Sequence, residues 1–191
     1  MHFKFGYLVC CVAIILISTP SFGQSRALDS GERARLGGIP PTVYVTLDQN
    51  IEHNVVISVW EDGMNIIDNG QFQQILFADE KEVGLWPLTI QVKGGDFGNT
   101  INIYGYTSKL VRLRILGGIA NDSIANYCNL RSILSGYEGN DTLIGGPDSD
   151  SLYGGPGNDQ MFGEGGNDDL RGGWGSDEMH GGPGDDFLSG N

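Results

Sequence analysis

Apolar and polar residues alternate in short runs over the earlier part of the chain, and from Gly136 to Ser189 this pattern gives way to a strict nine-residue period. Six consecutive units read GYEGNDTLI, GGPDSDSLY, GGPGNDQMF, GEGGNDDLR, GGWGSDEMH and GGPGDDFLS. Each unit has Gly at its first position, Asp at its sixth and an apolar residue at its eighth. Because one unit cannot bury its single apolar side chain alone, the period predicts very short strands stacked in a coil.

The segment before the repeats has the alternation and the turns of antiparallel strands. TVYVTL, NVVISVW, MNII and FQQILF each predict a strand, and Asp62-Gly63 and Asn69-Gly70 are strong hairpin signals. We therefore predict an antiparallel β-meander with its strands over roughly 42–78. The whole segment, 42–88, would cap the coil and protect its open edge.

The residues between this meander and the repeats, 89–135, combine alternating strands with glycine turns. LTIQVKGG, NTINIYG and LVRLRILGG each give a strand followed by glycine. GGDFGNTIN fits the nine-residue frame but has Asn99 at the sixth position, where a neutral amide is a poor metal ligand. This region is predicted to form degenerate rungs of the same coil, which gives an all-β fold overall.

Stacking brings the sixth-position carboxylates close together. If two units make one coil, each Asp lies above the Asp that precedes it by two units. Carboxylates at a strand spacing of about 4.8 Å repel each other unless a cation lies between them. Carboxylates and carbonyls at a glycine turn form an all-oxygen ligand set that suits calcium. One edge of the coil would carry Asp141, Asp159 and Asp177, and the other Asp150, Asp168 and Asp186.

The units closely resemble the hemolysin-type calcium-binding repeat, the GGxGxDxUx unit of RTX proteins, and the resemblance recurs at GGIANDSIA, residues 117–125. It implies a parallel β-roll that holds several calcium ions between successive turns, through Asp side chains and backbone carbonyls. The metal ligands implied by the resemblance are Asp122, Asp141, Asp150, Asp159, Asp168, Asp177 and Asp186.

Some units depart from this pattern. Tyr137 and Glu164 replace the second Gly, and Asp148 and Ser149 replace the usual Gly and Asn, which weakens the case for a site at Asp150. The unit at 126–135 is one residue too long and has no Asp. It therefore makes the stacking of Asp122 on Asp141 looser.

The net charge of −13 is concentrated in the repeats. Residues 136–191 contain twelve acidic residues and one basic residue, Arg171, whereas 24–135 contain twelve acidic and nine basic residues. This distribution fits a cation site and argues against binding to nucleic acid or to an anionic membrane.

The first 23 residues are predicted to be a signal peptide. Lys4 precedes the apolar run YLVCCVAIILI, and the small residues Ser21 and Gly23 favour cleavage before Gln24. The mature chain would then be secreted, with a bacterial source and without a membrane span. An uncleaved N-terminal anchor is the alternative.

Three further features concern the segment after the signal peptide, the cysteine of the mature chain and the C-terminal end. Residues 24–41 are polar and interrupted by Gly and Pro, which predicts a flexible linker. Cys128 is left alone in the mature chain and is predicted to be a buried thiol. The chain ends soon after Ser189, so fraying, pairing with another copy through this edge, and truncation are all open.

Motifs of the RTX proteases and lipases are absent from the sequence, which contains no HExxH and no GxSxG. His180 is expected to face solvent, and Trp60, Trp86 and Trp174 are expected to pack against the fold rather than against sugars. The chain is therefore predicted not to be an enzyme.

The function predicted is that of a secreted calcium-binding β-roll protein whose repeats fold when they meet extracellular calcium. Its role would be structural or adhesive, at a cell surface or in an extracellular matrix. Two alternatives are a calcium-dependent carbohydrate-binding module with a glycan partner and a remnant of a larger RTX hydrolase or toxin.

Overall fold

Short strands and turns alternate along the part of the chain that this computed structural model describes, which comprises residues 12–17, 42–47, 52–60, 63–76, 88–105 and 111–190. These residues form sixteen strands and no helix. The strands are β1 (Val12–Ile17), β2 (Thr42–Leu47), β3 (His53–Trp60), β4 (Gly63–Asp68), β5 (Gln71–Leu76), β6 (Leu88–Lys93), β7 (Asn99–Gly105), β8 (Val111–Gly118), β9 (Ser123–Asn126), β10 (Ser132–Tyr137), β11 (Thr142–Gly146), β12 (Ser151–Pro156), β13 (Gln160–Glu164), β14 (Asp169–Trp174), β15 (Glu178–His180) and β16 (Phe187–Ser189).

Two sheets face each other, and from β6 onward successive strands alternate between them. One sheet has the order β1-β2-β6-β8-β10-β12-β14-β16, and the other has the order β15-β13-β11-β9-β7-β3-β4-β5. From β6 to β16 all neighbouring strands within a sheet are parallel. The chain thus winds into a β-solenoid of about five turns, which confirms the predicted parallel β-roll.

The interior of the roll is filled by one inward side chain per repeat and by more apolar residues in the earlier coils. Leu143, Leu152, Met161 and Leu170, all at the eighth position, are 0 % exposed. Burial of such a side chain contributes roughly 1.5–3 kcal/mol, and a repeat gains it only when it stacks on its neighbours. The earlier coils bury Ile57, Ile90, Ile101, Ile103, Leu113 and Ile115.

A hairpin extends the second sheet at its N-terminal end. β3, β4 and β5 pair antiparallel. Asn69 and Gly70 form the β4–β5 turn with φ of 47° and 81°, as a two-residue primed turn requires. The antiparallel segment predicted at this end is therefore present, and the turn signal at Asn69-Gly70 is confirmed.

The predicted meander is shorter than the alternation suggested. β2 pairs in parallel with β6, and β3 pairs in parallel with β7, so both strands belong to the coil. The antiparallel set begins at His53 rather than at residue 42. Alternation alone cannot separate the two arrangements, because a strand with one solvated face has the same pattern in a hairpin and in a coil.

The apolar run near the N-terminus contributes a further strand, since β1 pairs in parallel with β2. The predicted cleavage site, the linker at 24–41 and Trp86 lie outside the described residues, so the signal peptide and the linker stay predictions. If the chain is cleaved before Gln24, β2 becomes the edge strand of its sheet. The described residues include no helix with the length and apolarity that crossing a bilayer requires.

Candidate metal centre

The sixth-position residues form a column along each edge of the roll, where the chain turns from one sheet to the other. The first column contains Asn99, Asp122, Asp141, Asp159 and Asp177. Each carboxylate accepts a hydrogen bond from the backbone N–H of the residue before it in the column: the Asp122 N–H donates to Asp141 Oδ1 at 2.7 Å, and the Asp141 N–H to Asp159 Oδ1 at 2.8 Å. The longer spacing across 126–135 therefore leaves Asp122 in register with Asp141.

The second column follows the same rule on the opposite edge. It begins at Ser132 and continues through Asp150, Asp168 and Asp186. The Asp150 N–H donates to Asp168 Oδ1 at 2.7 Å, and the Asp168 N–H donates to Asp186 Oδ1 at 3.0 Å. Both predicted columns are present, and the seven Asp residues predicted from the sequence all lie in them.

The second carboxylate oxygen of these residues is the feature that points to a ligand. Oδ2 is buried and has no hydrogen-bond partner in Asp122, Asp141, Asp150, Asp159 and Asp168. A buried charged acceptor without a partner costs more than about 1–3 kcal/mol, so each of these oxygens favours binding of a proton or a cation.

First-position glycines leave the space into which these oxygens point. A Cβ atom on Gly154 would overlap both Asp159 Oδ2 and the carbonyl oxygen of Gly172 in the next coil. The same overlap occurs at Gly163, with Asp168 Oδ2 and the carbonyl oxygen of Gly181. Glycine is therefore needed because an oxygen-lined gap occupies the position of a side chain.

Backbone carbonyls supply further oxygens between successive turns. A Cβ on Gly155 or on Gly157, the second and fourth positions of their unit, would overlap the carbonyl oxygen at the same position one coil earlier, in Tyr137 and Gly139 respectively. Glu164 and Gly166 present their carbonyls to the next coil in the same way on the other edge. Each pair of stacked turns thus surrounds a small space with carboxylate and carbonyl oxygens.

The residues that replace the second glycine keep its conformation. Tyr137 and Glu164 have φ of 77° and 72°, in the left-handed region that side chains rarely adopt. The turns at these positions therefore retain their shape at a local cost in backbone strain.

The fifth position carries a second hydrogen-bond ladder that the sequence analysis missed. The side-chain oxygen of each fifth-position residue accepts a hydrogen bond from the backbone N–H of the fifth-position residue in the next coil. The Asn140 N–H donates to Asn121 Oδ1 at 2.8 Å, and the Asn158 N–H donates to Asn140 Oδ1 at 2.7 Å. Ser149 Oγ accepts the Asn167 N–H at 2.9 Å, so Ser149 preserves the ladder where Asn is replaced. The recurrence of Asn at this position was the signal available in the sequence.

Burial and mutual repulsion make the columns hard to ionise. Burial above all, together with the neighbouring carboxylates, raises the pKa of Asp141 and of Asp150 to about 7. The pKa of Asp122, Asp159 and Asp168 is also raised, by burial above all. A divalent cation between the turns would remove both costs and favour the charged form.

The donor set decides which cation fits. Within the described part of the chain, no three His, Cys, Asp or Glu side chains converge on one point. A site between these turns must therefore combine one or two carboxylates with main-chain carbonyls. Hard, all-oxygen ligands on flexible turns fit calcium, and the absence of nitrogen and sulfur donors disfavours zinc.

Two side chains outside the columns bear on the sequence predictions. His180 is exposed, as predicted, and its Nε2 lies 3.0 Å from Glu178 Oε1. Trp174 is 72 % exposed, so the prediction that it packs against the fold is wrong. It stands at the third position of its unit, whose side chains point away from the interior.

Comparison with known families agrees with the geometry. The family model of the RTX calcium-binding nonapeptide repeat (4 copies) matches residues 135–170 and 171–191. No curated protein and no solved structure matches the chain significantly. The matched residues are those that carry the Asp columns from Asp141 to Asp186, with their glycine turns and carbonyls. Residues 135–191 are therefore RTX calcium-binding repeats, and these repeats together with the fold support a calcium-binding β-roll protein.

Proposed function

We propose that this protein is exported unfolded or partly folded, that its repeats complete their folding on extracellular calcium, and that the finished roll has a structural or adhesive role. The observation that carries the proposal is the set of five buried carboxylate oxygens without partners, each in a gap that only glycine leaves open.

The energetic argument concerns the calcium-free state. The four repeats from 136 to 171 each bury one apolar side chain, and residues 136–191 carry twelve acidic residues against one basic residue. The cost of ordering nine residues exceeds what one buried Leu or Met contributes. Calcium would neutralise the columns and bind only to the folded turns, so its binding free energy becomes folding free energy.

The family of the repeats and the N-terminal sequence both support an extracellular location. RTX calcium-binding repeats are typical of extracellular bacterial proteins. The predicted signal peptide at 1–23 supports export, and calcium outside cells reaches concentrations that even weak sites can use. The proposed role is binding and scaffolding rather than catalysis.

The test is a calcium titration of residues 24–191, followed by far-UV circular dichroism with magnesium as control. We expect a cooperative gain of β signal with calcium alone. Asp159→Asn removes a buried column carboxylate and should raise the calcium midpoint, whereas Asp185→Asn, at the exposed fifth position where Asn is common, should not. A wild-type spectrum already folded in EDTA and indifferent to calcium would refute calcium-induced folding.

An exposed aromatic surface supports a second function, calcium-dependent glycan binding. The guanidinium of Arg171 lies 5.8 Å from the ring centre of Tyr153 and 5.9 Å from that of Phe187 on the outer face of the first sheet. Phe187 and Trp174 are both more than half exposed. Glycan-array binding in calcium that is lost on Trp174→Ala or Phe187→Ala would favour this role over a purely structural one.

A further inference from the structure

Asn99 occupies the first described turn of the first column, and its side chain is 2 % exposed. Its Nδ2 donates hydrogen bonds to the Phe97 carbonyl at 2.7 Å and to Asp122 Oδ1 at 2.8 Å, and lies 3.4 Å from the Gly95 carbonyl. These three oxygens are the second- and fourth-position carbonyls of its own turn and the sixth-position carboxylate of the next coil. The Nδ2 group of one amide therefore contacts three oxygens of this turn and the next coil, while the Oδ1 atom of the same amide is buried without a hydrogen-bond partner.

The later turns have the same two carbonyl oxygens and the same carboxylate, but no amide donor like Asn99 Nδ2 lies at the sixth position. In the turn that ends at Asp141, they are the carbonyls of Tyr137 and Gly139 and the carboxylate of Asp159. The sixth position there is Asp141 itself, which offers only acceptors when ionised. Oxygens that an amide holds together in one turn would repel each other in the next unless a cation lies among them.

A second buried amide closes the equivalent turn on the other edge. Asn126 is 0 % exposed, and its Nδ2 donates to the Leu130 carbonyl at 2.8 Å. Its Oδ1 accepts the Cys128 N–H at 2.9 Å. The segment from 126 to 131 has no Asp, so this turn is held by the protein's own hydrogen bonds.

The coils that contain these two turns also have the apolar core that the repeats lack. Ile101 and Ile103 in β7 and Leu113 and Ile115 in β8 are at most 2 % exposed. Cys128, also 0 % exposed, lies in the same cluster. Both sources of stability, core and turn closure, are therefore available without metal at the turns of Asn99 and Asn126, and Asp122 Oδ2 is the one column carboxylate oxygen in these coils without a partner.

We propose that the Asn99 amide takes the place that a calcium ion takes in the later turns, so that the coils from β6 to β10 fold without calcium and form the template on which the calcium-loaded repeats stack. The proposal rests on the proposed function, because it assumes that the later turns need the ion. It implies that the repeats order from Asp141 toward Asp186 rather than independently.

Hydrogen–deuterium exchange of the full chain, read by mass spectrometry in EDTA and in calcium, tests this order. In EDTA we expect protected amides over 99–126 and fast exchange over 142–189, and in calcium we expect protection of both. Asn99→Asp replaces the donor by an acceptor, so it should speed exchange over 94–126 in EDTA by about tenfold or more. Calcium should restore this protection by filling the new site.

Asn102→Asp is the matched control, since it makes the same chemical change at a half-buried position of the same strand. It should leave the exchange of 94–126 unchanged. The inference is overturned if 99–126 exchange as fast as the repeats in wild-type EDTA samples, if Asn99→Asp behaves as wild type, or if calcium fails to rescue it. The proposed function fails on a different observation, namely that calcium leaves 142–189 unprotected in the wild type.

Discussion

At the scale of single residues, the fold depends on positions where a side chain is either forbidden or strained. First-position glycines leave the gaps for Asp Oδ2, and second-position residues adopt positive φ. Tyr137 and Glu164 adopt that conformation with a side chain, which costs an L-residue roughly 1–2 kcal/mol relative to glycine. The two departures from the repeat pattern are thus sites of strain rather than breaks in the roll.

Glu164→Gly should therefore stabilise the calcium-loaded protein. Relief of the strained φ is partly offset by the greater freedom of glycine in the unfolded chain, which leaves a gain of about 0.5–1 kcal/mol. Urea unfolding in saturating calcium measures it. Glu164→Ala is the control: it removes the same charge but keeps the strain, so its stability should stay near that of wild type. Equal stabilisation by both variants would assign the effect to charge.

At the scale of one turn, the oxygen-lined gap between successive coils is the proposed calcium site. Gly154→Ala would place a methyl group on Asp159 Oδ2 and on the Gly172 carbonyl, both of which the proposed ion needs. Overpacking of this kind costs about 1–3 kcal/mol, which corresponds to a rise in the calcium midpoint of about 5- to 150-fold. Calorimetric titration with calcium gives the affinity and the number of sites lost.

Gly165→Ala, the same change in the next turn along the chain, on the opposite edge of the roll, is the control. Gly165 stands at the third position, where other units have Pro, Trp or Glu, and a Cβ there would lie 3.6 Å from its nearest neighbour, the Pro147 carbonyl oxygen. Its φ is not in the left-handed region. Calcium affinity should therefore be unchanged. If both glycine variants bind calcium like the wild type, the gaps are not the sites.

Much of the structure of the repeat turns could be predicted from the sequence. Because the nine-residue period is strict, residues at the same position of each unit lie at equivalent places in successive turns. The period predicted the roll, both Asp columns and the buried eighth position. It could not predict that Asn99 acts as a donor, since the same amide could have presented its oxygen. The sequence could not assign β2 and β3 to the coil either. Characteristic turn residues mark a hairpin, whereas no residue type marks the connection between two parallel strands.

At the scale of the whole molecule, the roll is divided into an apolar end and an acidic end. The coils around β6 to β8 bury branched aliphatic side chains, while the repeats bury carboxylates beside one apolar residue per unit. β15 and β16 form the far edges of the two sheets, and Leu188 is 43 % exposed there. Pairing with a second copy through this edge stays a prediction, and sedimentation of the calcium-loaded protein would measure it.

The buried carboxylates of the acidic end make the stability of the calcium-free protein depend on pH. Burial raises the pKa of Asp141 and Asp150 to about 7, against roughly 3.9 for an unfolded Asp. The calcium-free folded state therefore holds more protons than the unfolded state between about pH 4 and 7. Its stability is full below this window, falls as pH rises through it, and levels off above pH 7. Acid should thus partly substitute for calcium.

Circular dichroism in EDTA should accordingly show the repeats gaining β signal as pH is lowered from 8 to 5. At a fixed, subsaturating calcium concentration the binding signal should instead weaken over the same range, because protons compete with the ion for the same oxygens. Asp150→Asn should flatten the EDTA profile, since it removes a titrating group from the buried column. Asp185→Asn changes the net charge equally at an exposed position and should flatten it less. An EDTA profile that loses β signal on acidification would show that the carboxylates are stabilised in their charged form without metal, contrary to the burial that the structure gives them.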